Sequence, residues 1–297
     1  MEKVKVAAVQ AAPVFLDTEA TVELVEKLVT EAAAAGAGLI VFPETFVPTY
    51  PDWIWRAKPW QDSGEYYGRL LEGSVVVPGP VTEALGRVAR EAGAYLAIGV
   101  NEKESRGSTI YNTLLYFDDA GHLLGKHRKL VTTGPERLVW GYGDRSTLTV
   151  IETPFGRVGG LICWENYMPL ARAAMYAQGI DIWLAPTWDT GDDWVATLRH
   201  IAREGRVHVI GCAACQHSRD VPAGMPERAR CTPMPMTTGC ARATRRSSRR
   251  TAACSPGRWS ERQESSTRSS TPPARARGAA PWTRSVTIHG LTCSIFR

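Results

Sequence analysis

Short apolar runs alternate with longer stretches in which apolar positions recur every three or four residues. The runs predict buried strands, and the longer stretches predict amphipathic helices. Predicted strands occupy 4–9, 39–42, 95–100, 111–117, 157–162, 181–186 and 207–212, and predicted helices occupy 18–35, 81–92, 169–178 and 193–204. Strands that are apolar throughout and alternate with helices are typical of α/β proteins whose sheets are covered on both faces.

One cysteine occupies a position where α/β proteins often place their chemistry. Cys163 follows the predicted strand 157–162 and precedes a helix that Pro169 opens. Ligands and nucleophiles gather at the carboxyl ends of strands, and a nearby base or positive charge can activate a thiol there. Taken alone, Cys163 could equally be a buried structural cysteine, because free Cys packs as a small hydrophobe.

The neighbours of Cys163 favour the functional interpretation. The order Cys163-Trp164-Glu165-Asn166, followed by Pro169 and Arg172, resembles the active-site signature of the nitrilase branch of the carbon–nitrogen hydrolase family. Two further blocks stand upstream in that family's order: Phe42–Phe46, which contains Glu44, and Lys126–Leu130, which contains Lys129. The resemblance covers about residues 1–230.

The resemblance implies a four-layer αββα sandwich and a set of site residues. It assigns Cys163 as the nucleophile, Glu44 as the general base, Lys129 as the catalytic lysine and Glu136 as a second glutamate near the cysteine. Aromatic and strand-end residues are expected to bind the substrate, namely Tyr50, Trp164, Thr187 and Trp188. Purely structural interpretations stay open for these residues. Glu44 could be a surface carboxylate, and the basic residues of Lys126–Leu130 could form a solvated surface. The aromatic loop that begins at Tyr50 could be a core cluster.

The activity implied is hydrolysis of an organic nitrile to the acid and ammonia through a thioimidate and a thioester. One alternative is hydrolysis of an amide, because the same three groups can cleave amide C–N bonds. Another is an inactive, frame-shifted homologue of the nitrilases. Neither reaction needs a metal or organic cofactor, and the expected partner is a small-molecule nitrile or amide. The family also implies a homo-oligomer.

Composition limits which class of protein this chain can be and in which cellular compartment it is expected. Hydrophobic content of 44% and charged content of 22% are globular values, and no apolar run approaches the roughly 18 residues of a membrane helix. The N-terminus enters a predicted strand directly, so no leader peptide is expected. Seven cysteines without regular spacing indicate a reducing cytoplasm rather than a disulfide framework.

Cys212 and Cys215 have the spacing of a metal or redox pair, and His208 and His217 are near in sequence. A zinc site needs four ligands, usually in two pairs, and the only later cysteines lie beyond residue 230. We therefore interpret Cys212 and Cys215 as packing residues at a strand end. His200 is interpreted as a partly exposed histidine on a helix.

The composition changes abruptly near Cys231. Residues 231–297 contain twelve Arg, no Lys and two Glu, a charge of +10, which leaves −5 for residues 1–230 out of the total of +5. The excess of positive charge therefore lies entirely in this segment. The negative net charge of residues 1–230 gives no reason to expect nucleic-acid binding by that part of the chain. An Arg/Ser-rich tail that binds RNA is one interpretation of the segment itself.

A shifted reading frame is the interpretation we favour for residues 231–297. Back-translating Arg242–Arg258 and Thr283–Arg297 with GC-rich codons and one constant shift permits segments similar to the C-terminal part of nitrilases. As written, the segment lacks helical or strand periodicity, which predicts disorder. The sequence thus predicts a hydrolase domain over 1–230 and an irregular tail without regular strands.

Overall fold

The chain folds into five α-helices and thirteen strands within the part that the structure describes. That structure is a computed structural model, and it describes residues 2–60, 64–189, 191–225, 239–242, 284–288 and 291–296. The helices are α1 Thr18–Ala34, α2 Gly64–Gly73, α3 Pro80–Ala92, α4 Pro169–Ala177 and α5 Asp192–Gly205. The strands are β1 Val4–Val9, β2 Leu39–Val41, β3 Val75–Val76, β4 Tyr95–Lys103, β5 Ile110–Phe117, β6 Leu123–Arg128, β7 Val150–Thr153, β8 Gly156–Gly160, β9 Ile182–Thr187, β10 His208–Ala213, β11 Gly239–Arg242, β12 Arg284–Ile288 and β13 Leu291–Phe296.

The larger sheet has the strand order β12-β13-β1-β2-β4-β5-β6, and β3 pairs with β4. Strands β1, β2 and β4 are parallel, whereas β5 is antiparallel to both β4 and β6. Because two antiparallel steps restore the direction, β6 runs parallel to β2 and β4. The carboxyl ends of β2 and β6 therefore lie at the same edge of this sheet.

The smaller sheet has the order β11-β10-β9-β8-β7. Its three central strands are parallel, and β7 and β11 are antiparallel to their neighbours. This arrangement brings the carboxyl ends of β8 and β9 to one edge. Cys163 lies three residues after the end of β8, and Thr187 is the last residue of β9.

The two sheets pack face to face between two helical layers, as the four-layer prediction required. Residues alternate along β1, with Ala7 and Val9 packed in the cluster that contains α1 and α3. Val6 and Ala8 face the opposite way, into the cluster between the two sheets. A third cluster joins the outer face of the smaller sheet to α4 and α5. The period of two along each strand thus supplies both faces with apolar side chains.

The predicted helices and strands are confirmed within one or two residues over most of residues 4–213. Periodicity failed to indicate α2 and the short strands β3 and β7. The aromatic stretch, interpreted as a loop, contains a 3₁₀ turn over Asp52–Trp55 and buries Tyr50 and Trp53. Its side chains belong to a fourth apolar cluster, so the core-cluster alternative describes part of this stretch.

The expectation that residues 231–297 carry no regular strand is wrong for three segments. Strand β11 pairs antiparallel with β10, β13 pairs parallel with β1, and β12 pairs with β13. Without them, β1 and β10 would present unpaired backbone N–H and C=O groups at a sheet edge, and backbone pairing makes little demand on side-chain identity. The rest of 231–297, including nearly all of Arg242–Arg258, lies outside the described residues.

None of the helices in the described part of the chain has the length and apolar character that a membrane-spanning helix requires.

Gly99 on β4 provides a test of how the fold positions the loop after β2. A Cβ on Gly99 would overlap the backbone of Pro43 and Thr45, and Thr45 already has a left-handed φ of 43°. We expect Gly99→Ala to displace this loop and to lower the free energy of unfolding by about 1–3 kcal/mol, measured by urea denaturation.

The matched control for this glycine is Gly68→Ala in α2, where an added Cβ meets nothing within 4 Å. The control should be neutral or stabilising by up to about 1 kcal/mol, because alanine has the higher helix propensity. Equal stability of Gly99→Ala and the unmodified protein would contradict the close backbone approach.

Candidate active site

Four polar side chains lie together at the strand ends of the two sheets. Glu44 follows β2, Lys129 follows β6, Glu136 lies in a 3₁₀ turn over Gly134–Leu138, and Cys163 follows β8. Each of the four is at most 4% exposed. The structure therefore brings together all four residues that the sequence predicted as catalytic.

Lys129 connects the two glutamates. Its Nζ donates to Glu44 Oε1 and to Glu136 Oε2, both at 2.8 Å. Its backbone N–H donates to the carbonyl of Asn112 on β5 at 2.8 Å, which continues the strand pairing past the end of β6. The buried ammonium group is thus held by two carboxylates and by a fixed backbone.

Glu44 accepts hydrogen bonds from three different parts of the chain. Besides Lys129, the Asn112 side chain donates to Oε1 at 2.7 Å, and the backbone N–H of Trp188 donates to Oε2 at 2.8 Å. Glu136 accepts from the Tyr50 hydroxyl at 2.8 Å and from the Thr133 backbone N–H at 2.7 Å. Both carboxylates are therefore fixed in orientation without access to bulk water.

Cys163 stands at a sharp turn between β8 and α4. Its φ is 52°, a left-handed value that is uncommon for a residue with a side chain. Asn166 Nδ2 donates to the carbonyl of Cys163 and to that of Leu161, both at 2.8 Å, and Trp183 donates to Asn166 Oδ1. These bonds from the Cys-Trp-Glu-Asn block hold the strained backbone in place.

Charges and burial determine the protonation states of this cluster. Burial raises the pKa of the Cys163 thiol, the charges of Glu44 and Glu136 raise it further, and Lys129 and a hydrogen bond from Thr187 only partly oppose them. Burial likewise raises the pKa of Glu44, with Lys129 opposing and Glu136 reinforcing the shift. Burial would lower the pKa of Lys129, but Glu44, Cys163 and Glu136 together raise it. The resting cluster thus holds an un-ionised thiol, an ammonium and a carboxylate with enhanced basicity.

The residues predicted to bind substrate occupy different surroundings. Tyr50 is buried, and its ring stacks on Trp188 with centroids 4.4 Å apart and planes 7° apart. Thr187 is buried at the end of β9 and hydrogen-bonds to Cys163. Trp164 is 52% exposed, and its indole N–H donates to Asp189 Oδ2 at 3.0 Å. Tyr50, Thr187 and Trp188 therefore contact members of the buried cluster, whereas Trp164 points toward the surface, and substrate binding by all four stays a prediction.

Three residues that the sequence did not single out as site residues, Asn112, His127 and Glu165, lie in or beside the cluster. Asn112 bonds to Glu44 through its side chain and to Lys129 through its carbonyl. Its signal was a lone amide inside the apolar strand β5, where an unpaired polar group would be costly. Glu165 and His127 form a buried pair beside the cluster, with 2.9 Å between His127 Nε2 and Glu165 Oε2. Both lie in the recognised blocks, but the partner of neither one can be deduced from local sequence.

The other titratable residues singled out in the sequence take structural positions. Cys212 is buried, and its Sγ lies 3.1 Å from the carbonyl of Val9, consistent with packing at a strand end. His200 lies on α5 with 61% of its side chain exposed, 3.3 Å from Glu204. Among the described residues, no group of three or more His, Cys, Asp or Glu is arranged to hold a metal ion.

Comparison with known proteins identifies the family. The family model for carbon–nitrogen hydrolases matches residues 5–236, so the chain belongs to the carbon–nitrogen hydrolase family. An aliphatic nitrilase of Sinorhizobium fredii is 49% identical over 234 residues, which cover 77% of this chain and 74% of that protein. A bifunctional nitrilase/nitrile hydratase of Nicotiana tabacum is 43% identical over 74% of this chain and 64% of its own length. The match thus spans less than two thirds of this plant relative.

Solved structures share the fold at lower sequence identity. A Saccharomyces cerevisiae member of branch 10 of the nitrilase superfamily superposes with a TM-score of 0.66 at 20% identity, covering 81% of this chain and 83% of that one. An amidase of the same superfamily from Nesterenkonia superposes with a TM-score of 0.60 at 20% identity, over 79% of this chain and 81% of that one. These structures are similar in the arrangement of helices and sheets.

Lys129 provides a test of the buried charge cluster. Lys129→Met would leave Glu44 and Glu136 buried without their shared cation, and we expect a loss of about 3–5 kcal/mol in the free energy of unfolding. Lys126→Met is the matched control, because Lys126 is 26% exposed and its partner Glu102 keeps Arg128. The control should lose less than about 1 kcal/mol. Equal losses in urea denaturation would contradict a special role for the buried cation.

Proposed function

We propose that this chain is a nitrilase that hydrolyses an organic nitrile to the carboxylic acid and ammonia. The observation that carries the proposal is 49% identity to an aliphatic nitrilase over 234 residues. Glu44, Lys129 and Cys163 all lie within residues 5–236, which the family model matches. The buried geometry supports it, because a thiol, a base and a cation are what addition to a nitrile carbon requires. We further propose that the hydrolase domain occupies about residues 1–230, close to where the family match ends at 236.

The first half of the proposed reaction forms a covalent thioimidate. The sulfur of Cys163 adds to the nitrile carbon while Glu44 takes the thiol proton, which then passes to the nitrile nitrogen. Lys129 stabilises the negative charge that develops on this nitrogen. The raised pKa of Glu44 makes its carboxylate a better acceptor for the proton of a thiol that is un-ionised at rest.

The second half consumes two waters. Glu44 deprotonates the first water as it adds to the thioimidate carbon, and the resulting tetrahedral intermediate expels ammonia to leave a thioester. A second water, activated in the same way, releases the acid and restores the thiol. Glu136 orients Lys129 through the 2.8 Å hydrogen bond to its Nζ, and Tyr50 fixes Glu136.

A panel of aliphatic, aromatic and arylacetonitriles, each with its matching amide, tests this function. We expect ammonia release from at least one nitrile at a higher rate than from its amide, and Cys163→Ala should abolish it with an unchanged far-UV spectrum. Accumulation of free amide would show that the intermediate expels sulfur instead of ammonia. Activity on amides alone would support the amide hydrolase, and turnover by pure Cys163→Ala would exclude Cys163 as the nucleophile.

The same panel run on a version with residues 231–297 restored to the alternative frame tests the proposed frame shift. Higher soluble yield and higher turnover in the restored version would support the frame shift. Equal behaviour of the two versions would contradict it.

The pH profile tests the role of Glu44. A general base must be ionised, so activity is lost as pH falls through its pKa, and burial raises that pKa above the ordinary value of 4.5. We therefore expect the acid limb of kcat/KM to lie above pH 4.5. Circular dichroism over the same range serves as the control against acid unfolding. An acid limb at or below the ordinary glutamate value would contradict Glu44 as the base.

A further inference from the structure

The Glu165 carboxylate receives three hydrogen-bond donors from both sides of the active site. Its Oε1 accepts from the backbone N–H of Leu130 at 2.6 Å. Its Oε2 accepts from the backbone N–H of Ile162 at 2.7 Å and lies 2.9 Å from His127 Nε2. The side chains of Glu165 and His127 are both fully buried.

The three donors lie next to or near Lys129 and Cys163 in the sequence, and these two residues come from different sheets. Leu130 directly follows Lys129, and His127 lies two residues before it, at the end of β6 in the larger sheet. Ile162 directly precedes Cys163, after β8 in the smaller sheet. One carboxylate therefore ties the chain on both sides of Lys129 to the residue before Cys163.

The hydrogen-bond pattern also fixes the charge of this pair. His127 Nδ1 lies 3.0 Å from the carbonyl of Thr147, which can only accept, so this nitrogen carries a proton. A bare Nε2 and an ionised Glu165 would place two acceptors 2.9 Å apart, so a second proton lies between them. The pair is thus neutral as a unit, and it adds no net charge to the neighbouring cluster. Burial alone would lower the pKa of His127, but the charge and hydrogen bond of Glu165 raise it.

We propose that Glu165, neutralised by His127, is a positioning residue that sets the distance between the Lys129 ammonium and the Cys163 sulfur across the two sheets. The proposal rests on the proposed function, because it concerns the groups that would perform that reaction. Glu165 itself hydrogen-bonds to backbone and to His127, and its effect reaches the reacting atoms through Lys129 and Cys163. Apolar packing between the sheets acts on the strands, whereas Lys129 and Cys163 both lie beyond the ends of their strands.

Glu165→Gln and Glu165→Asp test the proposal in complementary ways. Glutamine keeps the length of the side chain but has only one acceptor oxygen, whereas the N–H groups of Leu130 and Ile162 donate to two different oxygens. Aspartate keeps the charge but is too short to reach both backbone amides. Each should reduce kcat by about 10- to 100-fold, since a misplacement of about 1 Å can have that effect. The KM should change less than about threefold, because Glu165 does not contact substrate.

Glu102→Gln is the matched control. Glu102 is also buried and binds the side chains of Lys126 and Arg128 on β6. Unlike Glu165, it accepts from no backbone N–H beside Lys129 or Cys163 among the described residues and does not connect the two sheets. The control should lose stability with an unchanged kcat. A kcat within twofold of the unmodified protein in a folded Glu165→Gln, or an equal kcat loss in Glu102→Gln, would overturn the positioning role.

A measurement without substrate separates this proposal from the proposed function. If the unmodified protein hydrolyses neither nitriles nor amides, the positioning role can still be tested by the rate at which iodoacetamide alkylates Cys163. Slower alkylation in both Glu165 variants supports positioning, whereas an unchanged or faster rate overturns it. If neither variant folds, amide hydrogen exchange in the unmodified protein tests the proposal. The backbone amides of Leu130 and Ile162 should be among the slowest to exchange in the protein. Fast exchange of either amide would overturn the proposal.

Discussion

The ammonium group of Lys129 is buried between the carboxylates of Glu44 and Glu136, and the rest of the site depends on this contact. Three charges and a thiol occupy a volume that excludes bulk water, where an unpaired charge would be very costly. Removing Lys129 would leave both carboxylates buried without a compensating positive charge. The surrounding chain supplies further donors to both carboxylates: Asn112 and Trp188 donate to Glu44, and Tyr50 and Thr133 donate to Glu136.

The sheet topology explains how such distant residues meet. Glu44 and Lys129 follow β2 and β6, which run in the same direction and end at the same edge of the larger sheet. Cys163 follows β8 of the smaller sheet, which packs face to face with the larger one through an apolar layer. This layer is composed of side chains from both sheets and holds the sheets together. Glu165 adds a polar connection between them beside the site.

Backbone geometry also supports the site. Thr45 and Cys163, beside or within the cluster, both have a left-handed φ, and their strain is maintained by hydrogen bonds and close packing around them. Gly99 permits the loop after β2 to approach β4 closely, and Asn166 secures the turn at Cys163. The glycine and the asparagine therefore serve the geometry of neighbouring residues.

The sequence by itself determined most of the helices and strands, and its resemblance to a known family implied the four layers and the roles of Glu44, Lys129, Glu136 and Cys163. It could do so because apolar periodicity and short blocks of residues are local properties of the chain. Tertiary structure alone decided that Asn112 binds Glu44, that Glu165 pairs with His127 and that Trp164 is half exposed, because each depends on segments far apart in sequence. The pairing of β11 and β13 with β10 and β1 was likewise decided by the open edges of these strands, which local composition does not reveal.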